Sequence, residues 1–290
     1  MGLYPDAPKP PFIPGFEASG IVVDGGQSQF RPGDRVVGLK LFGAQTSRLA
    51  IDAEAVFKIP DSLNFEEAAA VPVNYITAYH VLSDLARVRA GESVLIHSAA
   101  GGVGTAACQL ALNAGAYVIG IGGGPAKTKH LRSLGVQEIV DRSAVEFSME
   151  IKRRYPKGID IILDPVGGRT TRANLKLLGP GGRLVACGVS ALAHYGKANI
   201  FQLLWDIVTF PRVRMVDLMQ SNKSVFGVNL SRMLSRKKEL GDILLKLLEM
   251  SAKKTIKPYI DKTYQPDDIA EAHRYLQSGA SLGKLLINWS

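Results

Sequence analysis

The order of apolar and polar residues changes rhythm near residue 93. Upstream, short β-rich runs at 20–23, 35–38, 47–51 and 56–59 are separated by turns such as Gly25-Gly26 and Pro32-Gly33-Asp34. Strands this short and closely spaced predict a small β-lobe or barrel. Pro5, Pro8, Pro10, Pro11 and Pro14 make the first residues an extended lead. Asp61 reads as a helix start, with helical stretches at 66–70 and 76–87. From Ser93 the pattern becomes strand and helix in alternation. Strands are predicted at 93–97, 117–121, 138–140, 159–164, 182–187 and 224–228. Helices fall between them at 102–114, 126–134, 144–155, 170–178 and 199–220, the last broken at Pro211. Crossovers long enough for helices imply an α/β fold with a doubly wound parallel sheet. A long helix to 251, a strand at 257–263, a helix at 266–277 and a strand at 284–288 complete the chain.

One stretch within this pattern carries chemistry. Val94 to His97 read as a buried strand, Ser98 to Gly104 as a glycine-rich turn, and Thr105 to Asn113 as a helix with Cys108, Leu110 and Ala111 facing inward. Strand, glycine turn and helix form the phosphate-binding start of a dinucleotide fold. A diphosphate needs bare backbone N–H groups at a helix N-terminus, where the helix dipole favours an anion. A Cβ at Gly101 or Gly102 would hold it off, and Gly104 lets the helix approach the strand. Ala99 occupies the first glycine slot of the usual spacing. A plain tight turn can carry the same glycines, and it is the flanking strands and helix that favour a nucleotide.

The end of the second strand sets the cofactor. An acidic residue there marks NAD sites, but this chain has Gly122-Gly123-Gly124, followed by Lys127, Lys129 and, past the third strand, Arg142. Charge-assisted hydrogen bonds contribute about 1.5–3 kcal/mol each, so two contacts to a 2′-phosphate would favour NADPH by about a hundredfold or more. Each cation alone reads equally well as an ordinary surface charge.

Composition narrows the alternatives. With 290 residues the chain suits two domains, or one domain with an elaborate second lobe, and 46% hydrophobic against 21% charged residues is ordinary for a soluble globular protein. No apolar run reaches the roughly 18–20 residues of a membrane span. The opening Met1-Gly2-Leu3-Tyr4-Pro5 reads as neither signal nor transit peptide. Cys108 and Cys187 fall in core elements, which implies reduced thiols and a cytoplasmic setting. The net charge of +9 is concentrated at Arg232 to Lys238 and Lys253-Lys254, without interleaved aromatic residues, so a solvated face is favoured over nucleic acid.

Several motifs together resemble a known family. They are Pro14-Gly15-Phe16-Glu17-Ala18-Ser19-Gly20, Pro32-Gly33-Asp34-Arg35-Val36, Glu67-Ala68-Ala69-Ala70, Asn74-Tyr75-Ile76-Thr77-Ala78-Tyr79, the glycine turn, Asp164-Pro165-Val166-Gly167-Gly168 and Gly283-Lys284. Their order and spacing resemble the medium-chain dehydrogenase/reductases, and among them the zinc-independent quinone oxidoreductases of the vesicle amine transport protein-like branch. The resemblance implies a GroES-like catalytic lobe over 1–75, a Rossmann lobe over 76–230, and a return to the catalytic lobe over 231–290. A cleft between the lobes would take nicotinamide and substrate.

It also implies a further stretch before Gly2-Leu3-Tyr4, so the barrel is expected to be incomplete at its N-terminus. The activity implied is hydride transfer from NADPH to a quinone or α,β-unsaturated carbonyl. Phe16, and Val73 or Asn74, stand where zinc-dependent relatives carry ligands, so no metal is expected. Tyr4 matches a pocket tyrosine and is assigned as a hydrogen-bond donor to substrate. Asn74 and Thr77 are assigned to the nicotinamide ribose, and Ala100, Gly101, Gly102 and Val103 to the diphosphate. Gly122, Lys127 and Arg142 are assigned to the 2′-phosphate. Gly188, Val189, Phe226, Gly227 and Val228 are to line the nicotinamide slot, with Lys284 reaching the cleft. Relatives dimerise through the sixth sheet strand, here 224–228, which makes a homodimer the expected assembly. The apolar stretch Ile200 to Met219, followed within it by Arg212 and Arg214, leaves a second reading open: a weakly active adaptor in peripheral contact with a membrane.

Overall fold

The computed structural model describes residues 7–190 and 211–289. The chain divides into two compact units, one of Met1–Ile76, Leu230–Leu276 and Lys284–Ser290, the other of Thr77–Asn229 and Gln277–Gly283.

The first unit begins with an antiparallel sheet of β1 (Glu17–Ile21), β2 (Arg35–Leu39) and β3 (Val56–Lys58), in that spatial order. Residues 47–51, expected as a strand, are not one. The Ala50 carbonyl that a ladder would use accepts instead from Lys40 Nζ at 2.6 Å. Helix α1 (Phe65–Ala70) starts at Asn64 rather than Asp61, because Asn64 and Glu67 close a reciprocal capping box. Helix α2 (Pro72–Tyr79) widens into a π-helical turn over His80–Leu85, where one α-helix was expected over 76–87.

The second unit is a parallel sheet with helices in the crossovers. Along the chain run β4 (Ser93–Ile96), α3 (Gly102–Asn113), β5 (Tyr117–Gly122), α4 (Pro125–Ser133), β6 (Glu138–Asp141) and α5 (Phe147–Arg154). There follow β7 (Ile159–Asp164), α6 (Gly168–Leu177), β8 (Leu178–Ala186), α7 (Met215–Ser221) and β9 (Ser224–Gly227). The spatial order β6-β5-β4-β7-β8-β9 is doubly wound, and strand order reverses between β4 and β7, where such sheets bind ligands at their carboxyl ends. Leu95, Ile119, Ile121, Ile159, Ile162 and Leu184 form its buried core. The helix expected over 199–220 lies outside the described residues as far as 210, and α7 is its described remainder. No described helix is long and apolar enough to cross a membrane.

The chain then returns to the first unit with α8 (Lys237–Ala252), β10 (Ile260–Tyr264), α9 (Ile269–Gln277) and β11 (Lys284–Ile287). Helix α8 buries Leu240, Ile243, Leu244, Leu247 and Leu248, the spacing of one helical face. Strands β10 and β11 pair in parallel. The return is not continuous, as the expectation for 231–290 had it: Gln277–Gly283 belongs to the second unit. The reason is local bonding, since Gly283 N–H donates to the Ala100 carbonyl at 2.8 Å and Lys127 Nζ to the Gly279 carbonyl at 2.5 Å.

Candidate dinucleotide site

Between β4 and α3 the chain turns tightly. Ser98 takes a left-handed conformation (φ 49°), and Ala99 N–H still reaches the Ile121 carbonyl across to β5 at 3.0 Å. Ala99 and Ala100 are buried, whereas Gly101, Gly102 and Val103 are partly open. Gly101 is the N-cap of α3 and contributes no side chain. The first amides of a helix have no intrahelical acceptor, so those of Gly102 and Val103 are left to partners outside α3. A Cβ on Gly101 would meet only Ser98 O, at 3.3 Å, leaving the space above it free for a ligand. A Cβ on Gly104 would fall 2.2 Å from Ser98 O and 2.7 Å from Ala99 Cα. The two glycines therefore do different work, one leaving room for an anion and the other for the strand.

At the end of β5, Gly122 pairs with Asp141 of β6. The carboxylate missing from β5 is thus matched by one on the next strand, but it is already engaged. Asp141 Oδ1 accepts from Gly124 N–H at 3.0 Å and from the Ser143 N–H and hydroxyl. Ser143 first, then Gly124, holds its proton affinity below the ordinary carboxylate range. Arg142 lies along Gly123, whose absent Cβ would sit 3.3 Å from Nε. Its guanidinium has no hydrogen bond or ion pair among the described residues. Lys127 stands behind Gly122, where an added Cβ would meet its Cβ at 3.3 Å. Burial, and secondarily the charge of Arg142, push the Lys127 ammonium toward losing its proton. Two cations without a carboxylate partner among the described residues thus flank a run of bare backbone, an arrangement suited to a phosphate monoester.

Beneath the turn lies a polar network the sequence reading missed. His97 Nε2 donates to Asn174 Oδ1 at 2.8 Å, Asn174 Nδ2 donates to Asp164 Oδ2 at 3.1 Å, and the Thr171 hydroxyl donates to the same oxygen at 2.6 Å. Asp164 Oδ1 accepts from the amides of Val166 and Gly167. The network ties the ends of β4 and β7 to α6, directly below the point of strand reversal. Its only sequence signal was Asp164 within a glycine-rich motif. Burial holds His97 below its ordinary pKa, against the opposing charge of Asp164. As pH falls below about 6.5 the unfolded chain binds a proton at His97 that the folded chain does not, so stability drops by up to about 1.4 kcal/mol per pH unit. His97→Gln is expected to shrink the difference in Tm between about pH 7.5 and pH 5.5. An unchanged difference would show that His97 titrates normally in the fold.

The other assigned residues are distributed as follows. Asn74 and Thr77 lie three apart on α2, and Thr77 is buried. Gly188 follows β8 and packs on Pro165 so closely that a Cβ would lie 2.6 Å from its carbonyl oxygen, while Val189 is exposed. Phe226 and Gly227 pair with Val185 and Ala186, and Val228 N–H donates to the Ala186 carbonyl at 2.8 Å. Lys284 in the first unit forms an ion pair with buried Glu17, which also accepts from Val73 N–H at 2.7 Å. Tyr4 lies outside the described residues. Burial pushes the thiols of Cys108 and Cys187 up to about 12, so neither supplies a thiolate. Phe16 packs its ring 5.1 Å from that of Phe42. Among the described residues no cluster of His, Cys, Asp and Glu could hold a metal ion.

A doubly wound sheet with a glycine turn at its reversal point is the architecture of dinucleotide-binding folds, and here the same chain carries an antiparallel β-lobe. Residues 102–249 match the zinc-binding dehydrogenase family and residues 1–61 the alcohol dehydrogenase GroES-like domain, and the chain belongs to this family. It is similar to the human synaptic vesicle membrane protein VAT-1 homolog, with 35% identity over 99% of this chain and 74% of that one. It spans 60% of the length of the zebrafish (Danio rerio) VAT-1 homolog, at 33% identity. The Escherichia coli quinone oxidoreductase complexed with NADPH superposes with a TM-score of 0.84 and 29% identity, over 99% of this chain and 85% of that chain. The CurK enoyl reductase superposes with a TM-score of 0.77 and 30% identity, over 96% and 79%. The chain is thus an oxidoreductase-family protein resembling quinone oxidoreductases and enoyl reductases.

Proposed function

We propose that this protein binds NADPH and transfers hydride to a quinone or an α,β-unsaturated carbonyl without zinc. The observation that carries this reading is the Arg142 guanidinium, without a partner among the described residues, lying on bare Gly123, with Lys127 behind Gly122 and Oδ1 of the neighbouring Asp141 taken up by Gly124 and Ser143. The resemblance to an NADPH-bound quinone oxidoreductase supports the same choice. Ala100, Gly101, Gly102 and Val103 would receive the diphosphate, and Gly122, Lys127 and Arg142 the 2′-phosphate. Asn74, Thr77, Gly188, Val189 and Phe226 to Val228 would position the nicotinamide half. Bound NADPH would supply the hydride. An apolar Phe16 in place of a metal ligand favours acceptors that spread charge through conjugation over simple ketones, which need stronger polarisation.

Thermal denaturation with and without nucleotide tests the binding step. A ligand at about 100 times its Kd stabilises by about 2.7 kcal/mol, so NADPH is expected to raise Tm clearly at a concentration where NADH does not. Equal shifts, or none, would remove the NADPH reading. Absence of enone- or quinone-dependent NADPH oxidation, despite tight binding, would remove the catalytic one.

A second reading is favoured by one surface. Val213, Met215, Val216 and Met219 are exposed on and before α7, beside Arg212 and Arg214. Cationic and aliphatic side chains together suit the interface of an anionic membrane. This reading predicts flotation with phosphatidylserine vesicles, and a protein that stays at the bottom of the gradient excludes it.

A further inference from the structure

The Gln277–Gly283 segment touches both ends of the candidate site. At one end Gly283 bridges Gly101 and its N–H donates to the Ala100 carbonyl at 2.8 Å, on the diphosphate turn. At the other, the Gly279 carbonyl accepts from Lys127 Nζ at 2.5 Å. Gly279 and Gly283 both take left-handed conformations, with φ of 68° and 52°, which L side chains rarely adopt.

Lys127 needs an acceptor for physical reasons. Its half-buried ammonium has lost water and stands near the guanidinium of Arg142, which repels it. Asp141, the nearby acid of β6, is engaged by Gly124 and Ser143. Left alone, the flexible stem would swing the charge out to solvent.

We propose that Gln277–Gly283 is a strap that positions Lys127 for the 2′-phosphate of NADPH, with the Gly279 carbonyl holding the ammonium in place. This inference rests on the NADPH reading above. An ammonium carries three donors, so one can remain on Gly279 while two face a phosphate. Immobilising a lysine costs rotamer freedom. A lysine already held by the strap has met part of that cost before the nucleotide arrives. NADH has no 2′-phosphate and gains nothing from the arrangement. The strap is therefore a determinant of cofactor preference, although it contributes no side chain to the phosphate.

The test compares Gly279→Pro, Gly279→Asn and Lys127→Met in the full chain, titrated with NADPH and NADH. Proline holds φ near −65° and must turn the carbonyl away from Lys127, whereas asparagine tolerates the left-handed region and keeps the carbonyl in place. Gly279→Pro is expected to weaken NADPH about tenfold, or about 1.4 kcal/mol, and NADH less than about twofold. Gly279→Asn is expected to leave both within about twofold. Equal losses for the two nucleotides in Gly279→Pro, or no loss for either, would overturn the strap. If Lys127→Met leaves the NADPH preference intact, the NADPH reading itself fails. If Lys127→Met abolishes the preference and Gly279→Pro does not, only the strap fails. Hydrogen exchange on the unaltered protein gives an answer even if Gly279→Pro does not fold. Saturating NADPH should protect residues 277–283 more than saturating NADH, and equal protection would count against the proposal.

Discussion

The double variant Lys127→Met, Arg142→Ala is expected to weaken NADPH binding about a hundredfold or more, since each lost charge-assisted contact is worth about 1.5–3 kcal/mol. NADH binding should change less than about threefold, because neither cation has a role at a ribose that lacks the phosphate. The structure strengthens this expectation in two ways. Arg142 has no partner among the described residues to compensate for its desolvation when a ligand arrives, so the whole interaction is available to the phosphate. Lys127 is held close to it against their mutual repulsion, and a doubly charged phosphate relieves that repulsion. Removing one cation alone should cost about tenfold. Isothermal titration at fixed ionic strength measures both nucleotides. Parallel losses for NADPH and NADH would mean that the two cations support the fold or the diphosphate rather than the 2′-phosphate.

Gly104→Ala should severely destabilise the second unit. Its Cβ would lie 2.2 Å from Ser98 O, 2.7 Å from Ala99 Cα and 2.8 Å from Ala99 C, all backbone atoms of the turn. No side chain can rotate away to relieve such contacts, so α3 must lift from β4. Overpacking of this kind costs about 3 kcal/mol, which lowers Tm by about 6–12 °C. Gly101→Ala makes the useful contrast. Its Cβ meets a single atom at 3.3 Å, so stability should fall by less than about 1 kcal/mol while NADPH affinity drops through obstruction of the diphosphate. Thermal melts and nucleotide titrations of the pair should therefore separate, one variant failing mainly in folding and the other mainly in binding. Equal Tm values for the two variants would contradict the close packing at Gly104.

Some of this architecture was written in short-range pattern. The apolar runs at Val94 to Ile96, Val118 to Ile121 and Ile159 to Leu163 are strands because each fills one layer of a buried sheet. Their alternation with helical stretches implied a parallel order without knowledge of any contact. Gly104 of the turn was recognisable for a similar reason, since a position that cannot accept a Cβ shows itself in the residue type. Lys127 and Arg142 stood out because doubly wound sheets place the ends of adjacent strands together.

Partners remote along the chain were beyond such pattern. His97 finds Asn174 77 residues away, Lys127 finds the Gly279 carbonyl 152 residues away, and Lys284 finds Glu17 267 residues away. Local choices between similar options were also settled by contacts. Asn64 caps α1 in preference to Asp61 because Glu67 reaches back to it. Residues 47–51 could have been a strand, but the Lys40 ammonium takes the Ala50 carbonyl. Periodicity and residue type report what one segment can do by itself. Which acceptor a buried ammonium or imidazole obtains depends on which distant segment folding delivers, and only the assembled chain decides that.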